Sequence, residues 1–213
     1  MEPLPATLRK VLRSAYVRQV PSGQIILYEG DIAREVFVLK SGIVKIYDID
    51  ENGNEKILHL VKSPAVIPFA FFSGTRESMR WFYASLTDCE LYVLSAAALK
   101  TMTREDNKLA ELLTNGFSKD VHELLVRLSS MGKTNTQDKV IAVLQFLLAR
   151  HATQQRKGNW WRVTFPLNHQ LVADLSGITR ESTALVMKNL QDKGVIRSPK
   201  QMVLEINKAK LST

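Results

Sequence analysis

The chain of 213 residues is poor in cysteine and in long apolar segments, and both absences exclude classes of protein. Its single cysteine, Cys89, rules out an internal disulfide and a cluster held by four thiolates of one chain. It has no run of 18 apolar residues, which argues against a transmembrane helix. The N-terminal residues lack a basic segment followed by an apolar block, so we expect no secretory signal. These absences predict a cytoplasmic protein with no membrane partner.

Patterns typical of catalysis and metal binding are also lacking. The sequence has no glycine-rich phosphate loop, no paired metal-ligand spacing and no nucleophile–base constellation. His59 and Cys89 show no spacing that argues for axial haem ligation, and a lone histidine or cysteine is usually structural. We therefore predict that the protein is not an enzyme, and that it has no cofactor and no bound metal.

Positive charge is present and is concentrated towards the C-terminus. Residues 1–136 carry 17 basic and 16 acidic side chains, a net charge of +1, whereas residues 137–213 carry 12 and 5, a net charge of +7. A basic surface confined to one module is typical of a protein that binds the phosphate backbone of nucleic acid. Solubility alone is the other explanation for such a surface.

The basic segment contains a pattern that predicts two short helices joined by a tight turn, the layout of a helix-turn-helix DNA reader. Asn168 is suited to cap the first helix, and Gly177 supplies the tight turn. Thr179 is suited to cap the second helix. The inward face of that helix is predicted from a spacing of three and four residues and consists of Thr183, Val186, Met187 and Leu190. An ordinary helical hairpin with a solvated charged face is the alternative.

The outward positions of the second helix are the candidates for contacts with bases. Arg180 and Glu181 lie in its first turn, where arginine pairs with guanine and glutamate accepts from the cytosine amine. The full set of predicted DNA-binding residues is Asn168, His169, Thr179, Arg180, Glu181, Ala184, Leu185, Lys188 and Lys200. Lys188, Lys193, Arg197 and Lys200 are expected to contact phosphates, although solvated surface positions explain each of them equally well.

A predicted β-hairpin follows the two helices and indicates a winged helix. Residues 195–197 and 202–206 are the expected strands, with a turn at 198–201 between them. Residues 160–165 alternate in the manner of a partner strand. We expect a helix over 137–152 to open this domain.

The first hundred residues predict a compact antiparallel barrel or jelly roll. Turn signals punctuate apolar runs at regular spacing, and these runs cover residues 24–28, 36–39, 43–47 and 56–61. Residues 104–131 contain no proline and predict one long helix. Its apolar stripe consists of Leu109, Leu113, Phe117, Val121, Leu124, Leu128 and Met131. The stripe suits either pairing with a second copy of the helix or packing against the chain's own β-domain.

These features together resemble a known family. The run from Pro21-Ser-Gly23 through Gly30-Asp31 to Gly42 and Val44-Lys-Ile-Tyr47 is similar to cyclic-nucleotide-binding β-rolls. The C-terminal hairpin resembles the winged helix of the CRP/FNR (catabolite activator) family of bacterial transcription regulators. The resemblance implies an α+β fold with a β-roll (double-stranded β-helix or jelly roll), a long dimerisation helix and a winged helix-turn-helix. We assign residues 1–103, 104–136 and 137–213 to these three parts, with a hinge at 132–136.

The resemblance also implies partners. It predicts a homodimer that binds an inverted repeat of double-stranded DNA, and contact with RNA polymerase if the protein is an activator. The predicted dimer interface consists of Leu109, Leu113, Phe117, Val121, Leu124 and Leu128. The family pattern at the start of the reading helix matches Thr179-Arg180-Glu181-Ser182, but Leu185 stands in place of the family's later arginine. We therefore expect a half-site related to the TGTGA of the nucleotide-dependent members, yet distinct from it.

The effector pocket departs from the family pattern. Pro68 and Phe69 stand near the place of the Gly-Glu pair, and Ser78 occupies the position of the arginine that holds the cyclic phosphate. We therefore predict control by a small effector other than cyclic AMP, or activity without one. The candidate pocket residues are Phe69, Phe71, Phe72, Arg76, Ser78 and Arg80. The aromatic residues of this window suit either ordinary core or a pocket for a flat or lipophilic ligand. A cyclic-nucleotide-type module that regulates a protein partner is the alternative function.

Overall fold

The computed structural model describes residues 11–32, 34–69, 71, 78–155 and 158–211. These residues form two compact units. One unit comprises the described residues up to Ile49 together with Ile57–Glu123, and the other comprises Asp50–Lys56 together with the described residues from Leu124 onward. Phe72 and Arg76, two of the predicted pocket residues, lie outside the described residues.

The N-terminal part is a β-roll built from two four-stranded sheets. The strands are β1 Tyr16–Val20, β2 Ile25–Leu27, β3 Glu35–Ser41, β4 Ile43–Ile49, β5 Glu55–Lys62, β6 Ala65–Ile67, β7 Phe82–Ser85 and β8 Cys89–Ser95. The sheet orders are β1-β8-β3-β6 and β2-β7-β4-β5, and the pairings of β8, β3 and β7 with their neighbours are antiparallel. This architecture confirms the predicted jelly roll.

Alternation along β3 explains how the roll has two separate apolar clusters. Phe37 and Leu39 belong to the core that also contains Ile46, Tyr83 and Leu91. Val36 and Val38 project from the opposite face of β3, because successive side chains alternate along a strand. They belong to a second cluster, which consists of Val11, Leu12, Val36, Val38, Leu94, Leu99, Leu109 and Leu113. The strand is therefore buried on both faces.

Two helices follow the roll. Helix α1 spans Ala96–Glu105, and the hydroxyl of Ser95 caps it by accepting from the amide of Ala98. Helix α2 spans Asn107–Met131. The prediction that the long helix begins at residue 104 was wrong. Residue 104 belongs to α1, and Asp106 interrupts the helical conformation between α1 and α2. The carboxylate of Asp106 accepts from the amides of Lys108 and Leu109 and so begins α2.

The C-terminal unit is a winged helix-turn-helix. Helix α3 spans Thr136–Arg150, α4 spans His169–Ser176 and α5 spans Arg180–Asp192. A four-stranded sheet of order β11-β12-β10-β9 accompanies the helices. Its strands, and the short helix that follows them, are β9 Ala152–Gln154, β10 Trp160–Val163, β11 Ile196–Arg197, β12 Glu205–Asn207 and α6 Lys208–Leu211.

Three predicted boundaries in this unit need correction. Helix α3 ends at Arg150, and Ala152 belongs to β9, where it pairs with Val163 of β10. Thr136, expected in the hinge, is the first residue of α3, and the side chain of Asn135 caps that helix. The second strand of the wing begins at Glu205 rather than at Met202. Met202 has a φ of 62° and cannot continue a strand, because strand residues require negative φ.

The described helices include none that is long and apolar enough to span a membrane.

Candidate DNA-reading surface and effector region

Side-chain caps and a left-handed glycine fix the turn between α4 and α5. Asn168 Oδ1 accepts from the amide of Leu171 at 2.8 Å, and the hydroxyl of Thr179 accepts from the amide of Ser182 at 3.2 Å. Gly177 ends α4 with a φ of 64°, a conformation that glycine adopts without a steric penalty. The two caps and the turn glycine predicted from the sequence thus lie where they were expected.

Helix α5 separates an inward face from an outward one. Thr183, Met187 and Leu190 are buried, whereas Arg180, Glu181 and Lys188 are exposed. Leu185 is 72% exposed. Ala184 is half-buried, and Thr179, Asn168, His169 and Lys200 are exposed. The structure therefore leaves the predicted contact residues of α5 open to a ligand at its first turns.

A buried arginine holds the end of α4 in place. Arg127 Nη2 donates to the carbonyl of Leu175 at 3.0 Å, and the guanidinium lies 5.5 Å from the centre of the Phe146 ring. The last carbonyls of a helix have no partner within the helix, so this donor satisfies one of them. Burial lowers the pKa of Arg127 to about 10, which still leaves it charged at neutral pH. This contact could not be predicted from the sequence, since Arg127 and Leu175 are 48 residues apart.

The wing contains a buried carboxylate that two arginines share. Glu205 Oε1 accepts from Arg162 at 2.7 and 2.9 Å, and its Oε2 accepts from Arg197 at 2.6 Å. Burial acts to raise the pKa of Glu205, but the hydrogen bonds from both arginines outweigh it and the pKa is lowered. Arg197 also lies 4.1 Å from the centre of the Trp160 ring. Arg197, expected at the phosphates, is therefore paired within the wing although its side chain is 50% exposed, and Lys200 is also exposed.

The predicted dimer stripe divides into two parts along α2. Leu109 and Leu113 are buried in the second cluster of the β-roll, so their own chain covers them. Their assignment to a dimer interface was wrong, because an apolar stripe does not reveal which surface covers it. Phe117, Val121 and Leu124 are half-buried. Towards the end of the helix, large apolar side chains are exposed, and these are Leu125 at 60%, Val126 at 49%, Leu128 at 67% and Met131 at 45%.

The two described aromatic side chains of the predicted effector pocket, Phe69 and Phe71, do not converge on one place. Phe69 packs against the core of the roll and makes an edge contact with Phe117 at 6.2 Å between ring centres. Phe71 packs against the second cluster instead. Phe82, which follows the pocket residues along the chain, stacks on Tyr47 with ring centres 5.2 Å apart. These described aromatic residues thus belong to separate packing contacts.

The two described polar positions of the predicted pocket, Ser78 and Arg80, are exposed to solvent. Ser78 is exposed and forms an isolated antiparallel bridge with Ile32, and Arg80 is also exposed. Neither position is buried in the manner of a phosphate-holding side chain.

Cys89 is buried, its Sγ lies 3.2 Å from the carbonyl oxygen of Thr87, and burial raises the pKa of its thiol. This environment is that of an inert structural cysteine rather than of a reactive one.

Comparison with known proteins identifies relatives of both units. The family model described as a cyclic nucleotide-binding domain matches residues 17–106, and the model described as a Crp-like helix-turn-helix domain matches residues 139–212. The global nitrogen regulator of Synechococcus elongatus is 21% identical over 197 residues, which cover 92% of this chain and 88% of that protein. A probable transcriptional activator of Rhizobium leguminosarum bv. viciae is 26% identical over 190 residues, which cover 89% of this chain and 77% of that protein.

Solved structures share the fold. The c-di-GMP responsive global regulator CLP of Xanthomonas campestris matches with a TM-score of 0.77 and 20% sequence identity. The match covers 93% of this chain and 97% of that one. The order of β-roll, helices and winged helix is therefore common to both chains.

Proposed function

Since this chain belongs to the CRP/FNR family of DNA-binding transcription regulators, we propose that it acts as a homodimer that reads an inverted repeat through two copies of α5. The observation that carries the proposal is the exposed first turn of α5, where Arg180 and Glu181 follow the Thr179 cap. A helix of this kind enters the major groove with its N-terminal residues towards the base edges.

The positive charge of the C-terminal segment favours the same role for α5. The segment from residue 137 carries a net charge of +7, and Lys188 and Lys200 are exposed within it. Basic side chains at these places would neutralise phosphates and fix the register of the protein on the duplex. Leu185 has no hydrogen-bonding group, so its contribution to reading is limited to apolar contact with a thymine methyl group.

The exposed end of α2 supports the dimer. Leu125, Leu128 and Met131 recur at a spacing of three, so they lie along one face of the helix. A monomeric protein rarely leaves such a row of large apolar side chains in water. A second copy of the same helix end would bury both rows, and the two-fold symmetry of the pair would match an inverted repeat.

We further propose that the β-roll responds to an effector other than cyclic AMP or that the protein acts without one. The exposed positions of Ser78 and Arg80 support this, because a cyclic phosphate needs a charged donor held in place. Saturable binding of cyclic AMP at micromolar or lower concentration in calorimetry would contradict it. If the protein activates transcription, RNA polymerase would be a further partner.

Selection of random duplex DNA by the purified full-length protein, with no added ligand, tests the reading role. We expect enrichment of an inverted repeat whose half-sites lie about one helical turn apart. Retention that is sensitive to salt but independent of sequence would contradict a specific reader that is active without an effector. Repeating the selection with nucleotides added then separates a missing effector from a missing reading function.

Sedimentation of two serine variants tests the dimer separately. Leu128→Ser should shift the equilibrium towards monomer, because it removes apolar area from the proposed interface. Leu185→Ser is the matched control, since Leu185 is an equally exposed leucine on α5. Equal behaviour of both variants and the parent protein would remove the α2 end from the interface.

A further inference from the structure

We propose that His59, Asp120 and Glu123 form a binding site for a divalent transition metal ion of the zinc type. Each of the three side chains offers one ligand atom, and these atoms all lie within 4.8 Å of one another. His59 lies on β5, while Asp120 and Glu123 both lie on α2. The two acids are three residues apart, so they share one face of the helix.

The buried imidazole is the observation that points to a ligand. His59 is 1% exposed, and neither of its ring nitrogens has a hydrogen-bond partner within the described part of the chain. Leaving a buried polar group without a partner is destabilising, so such groups usually have one. The Nε2 atom lies 3.7 Å from Asp120 Oδ1, too far for a hydrogen bond. A metal ion bound between these two atoms would provide the missing partner.

The distances suit a small ion after a modest side-chain movement. Zinc binds imidazole nitrogen and carboxylate oxygen at roughly 2.0–2.2 Å in a tetrahedral arrangement, which places neighbouring ligand atoms roughly 3.4 Å apart. The Nε2–Oδ1 separation is already 3.7 Å, and the other separations, all within 4.8 Å, close by rotation of a carboxylate side chain. Asp120 has a side-chain exposure of 20%, which gives the ion a route from solvent.

The donor set favours a transition metal over magnesium or calcium. Imidazole nitrogen is a common ligand of zinc, nickel, copper and iron, whereas magnesium and calcium prefer oxygen ligands alone. Three protein ligands would leave one tetrahedral position for water or a small anion. The Phe69 ring lies 6.0 Å from the His59 ring and closes one side of the site with an apolar wall.

A bound ion would connect β5 to α2 within the β-roll unit. This inference does not depend on DNA binding, because all three ligands belong to one compact unit. An ion pair between protonated His59 and Asp120 is the metal-free competitor for the same geometry. The two explanations differ in a measurable way, since only the first requires a saturable metal.

The test is calorimetric titration of the full-length, chelator-treated protein with zinc chloride. We expect one saturable site, and an absorption band of tetrahedral cobalt when Co²⁺ replaces Zn²⁺. His59→Asn, Asp120→Asn and Glu123→Gln should each weaken zinc binding by at least about tenfold. His122→Asn is the matched control, because His122 is exposed on the same helix and should not affect binding.

Circular dichroism of each variant checks that it is folded. If His59→Asn does not fold, the two carboxamide variants on α2 decide the matter. No saturable zinc binding by the parent protein would overturn the proposal. So would binding that His122→Asn abolishes and the three site variants leave intact. Equal affinity for Mg²⁺ would overturn the assignment to a transition metal.

Discussion

The winged helix and the β-roll differ in how their characteristic side chains meet water. In α5, the residues proposed to act are exposed, and the fold depends on the other face of the helix. In the β-roll, the characteristic side chains are buried, as the exposures of His59, Tyr83 and Cys89 show. A surface that reads DNA can therefore change without changing a core. The buried side chains of the roll cannot change in this way, because they pack inside it.

The largest expected effect contrasts a buried leucine with an exposed one. Leu109→Ala should lower the free energy of unfolding by about 2–5 kcal/mol, because Leu109 is fully buried in the second cluster of the roll. Leu185→Ala on α5 should change it by less than about 0.5 kcal/mol. Urea unfolding followed by circular dichroism measures both. Similar losses of unfolding free energy in the two variants would mean that Leu185 packs against another protein surface in solution.

The second prediction contrasts one glycine from each unit. Gly42 has a φ of 97°, and an added Cβ would lie 2.5 Å from the carbonyl oxygen of Asp88. Gly42→Ala should therefore cost about 2–4 kcal/mol, from backbone strain and overpacking together. Gly177 has a φ of 64° and only Met131 Cε at 3.9 Å, so Gly177→Ala should cost about 1–2 kcal/mol.

Thermal unfolding of the two alanine variants checks that order. A Gly177 variant less stable than the Gly42 variant would show that the turn between α4 and α5 is the more constrained of the two.

The third prediction concerns acid stability in the wing. Glu205→Gln should destabilise the protein by about 1.5–3 kcal/mol at pH 7, because it weakens hydrogen bonds to two charged arginines. The folded-state pKa of Glu205 is lowered from 4.5, so its contribution is present above that pH and is lost as the pH falls through the folded value. Parent and variant should therefore converge in stability in acid.

Unfolding curves between pH 3 and pH 7 (roughly the range over which a carboxyl titrates) measure this convergence. Glu181→Gln is the control, since Glu181 is exposed on α5 and should leave the curves unchanged. A constant difference between the parent protein and Glu205→Gln across the range would show that shape, rather than charge, explains the loss.

The smallest expected effect is the one on DNA. Arg180→Ala should weaken binding to the selected site by about 1–3 kcal/mol, and should relax the preference at one position of the half-site. Its stability should remain that of the parent, because Arg180 is exposed. Arg13→Ala, an exposed arginine outside the winged helix, is the control for a general loss of charge. An unchanged base preference would remove Arg180 from the reading role.

Patterns within a few neighbouring residues were sufficient to predict helices α4 and α5. Asn168, Gly177 and Thr179 act through neighbours within four residues, so their roles are visible in a short window of sequence. The wing was predicted less well. The second strand was placed too early because the positive φ of Met202 is unusual for a residue other than glycine.

Packing between residues far apart in the chain could not be predicted from the sequence. The stripe on α2 showed the correct period, but its two halves have different surroundings, buried at Leu109 and exposed at Leu128. His59 was treated as isolated because its acidic neighbours lie about sixty residues further along the chain and meet it only through the fold. For the same reason the sequence did not show that Phe69 and Phe71 pack against different clusters of the β-roll.

The exposure of Leu185 has an evolutionary consequence. A position that contributes almost nothing to folding accepts mutations with little loss of stability, so only the DNA contact proposed for it would constrain the residue. A single replacement there by a polar or charged residue would give α5 a new hydrogen-bonding group without endangering the fold. On the reading role proposed for α5, the base preference of the protein can thus change on an unchanged scaffold.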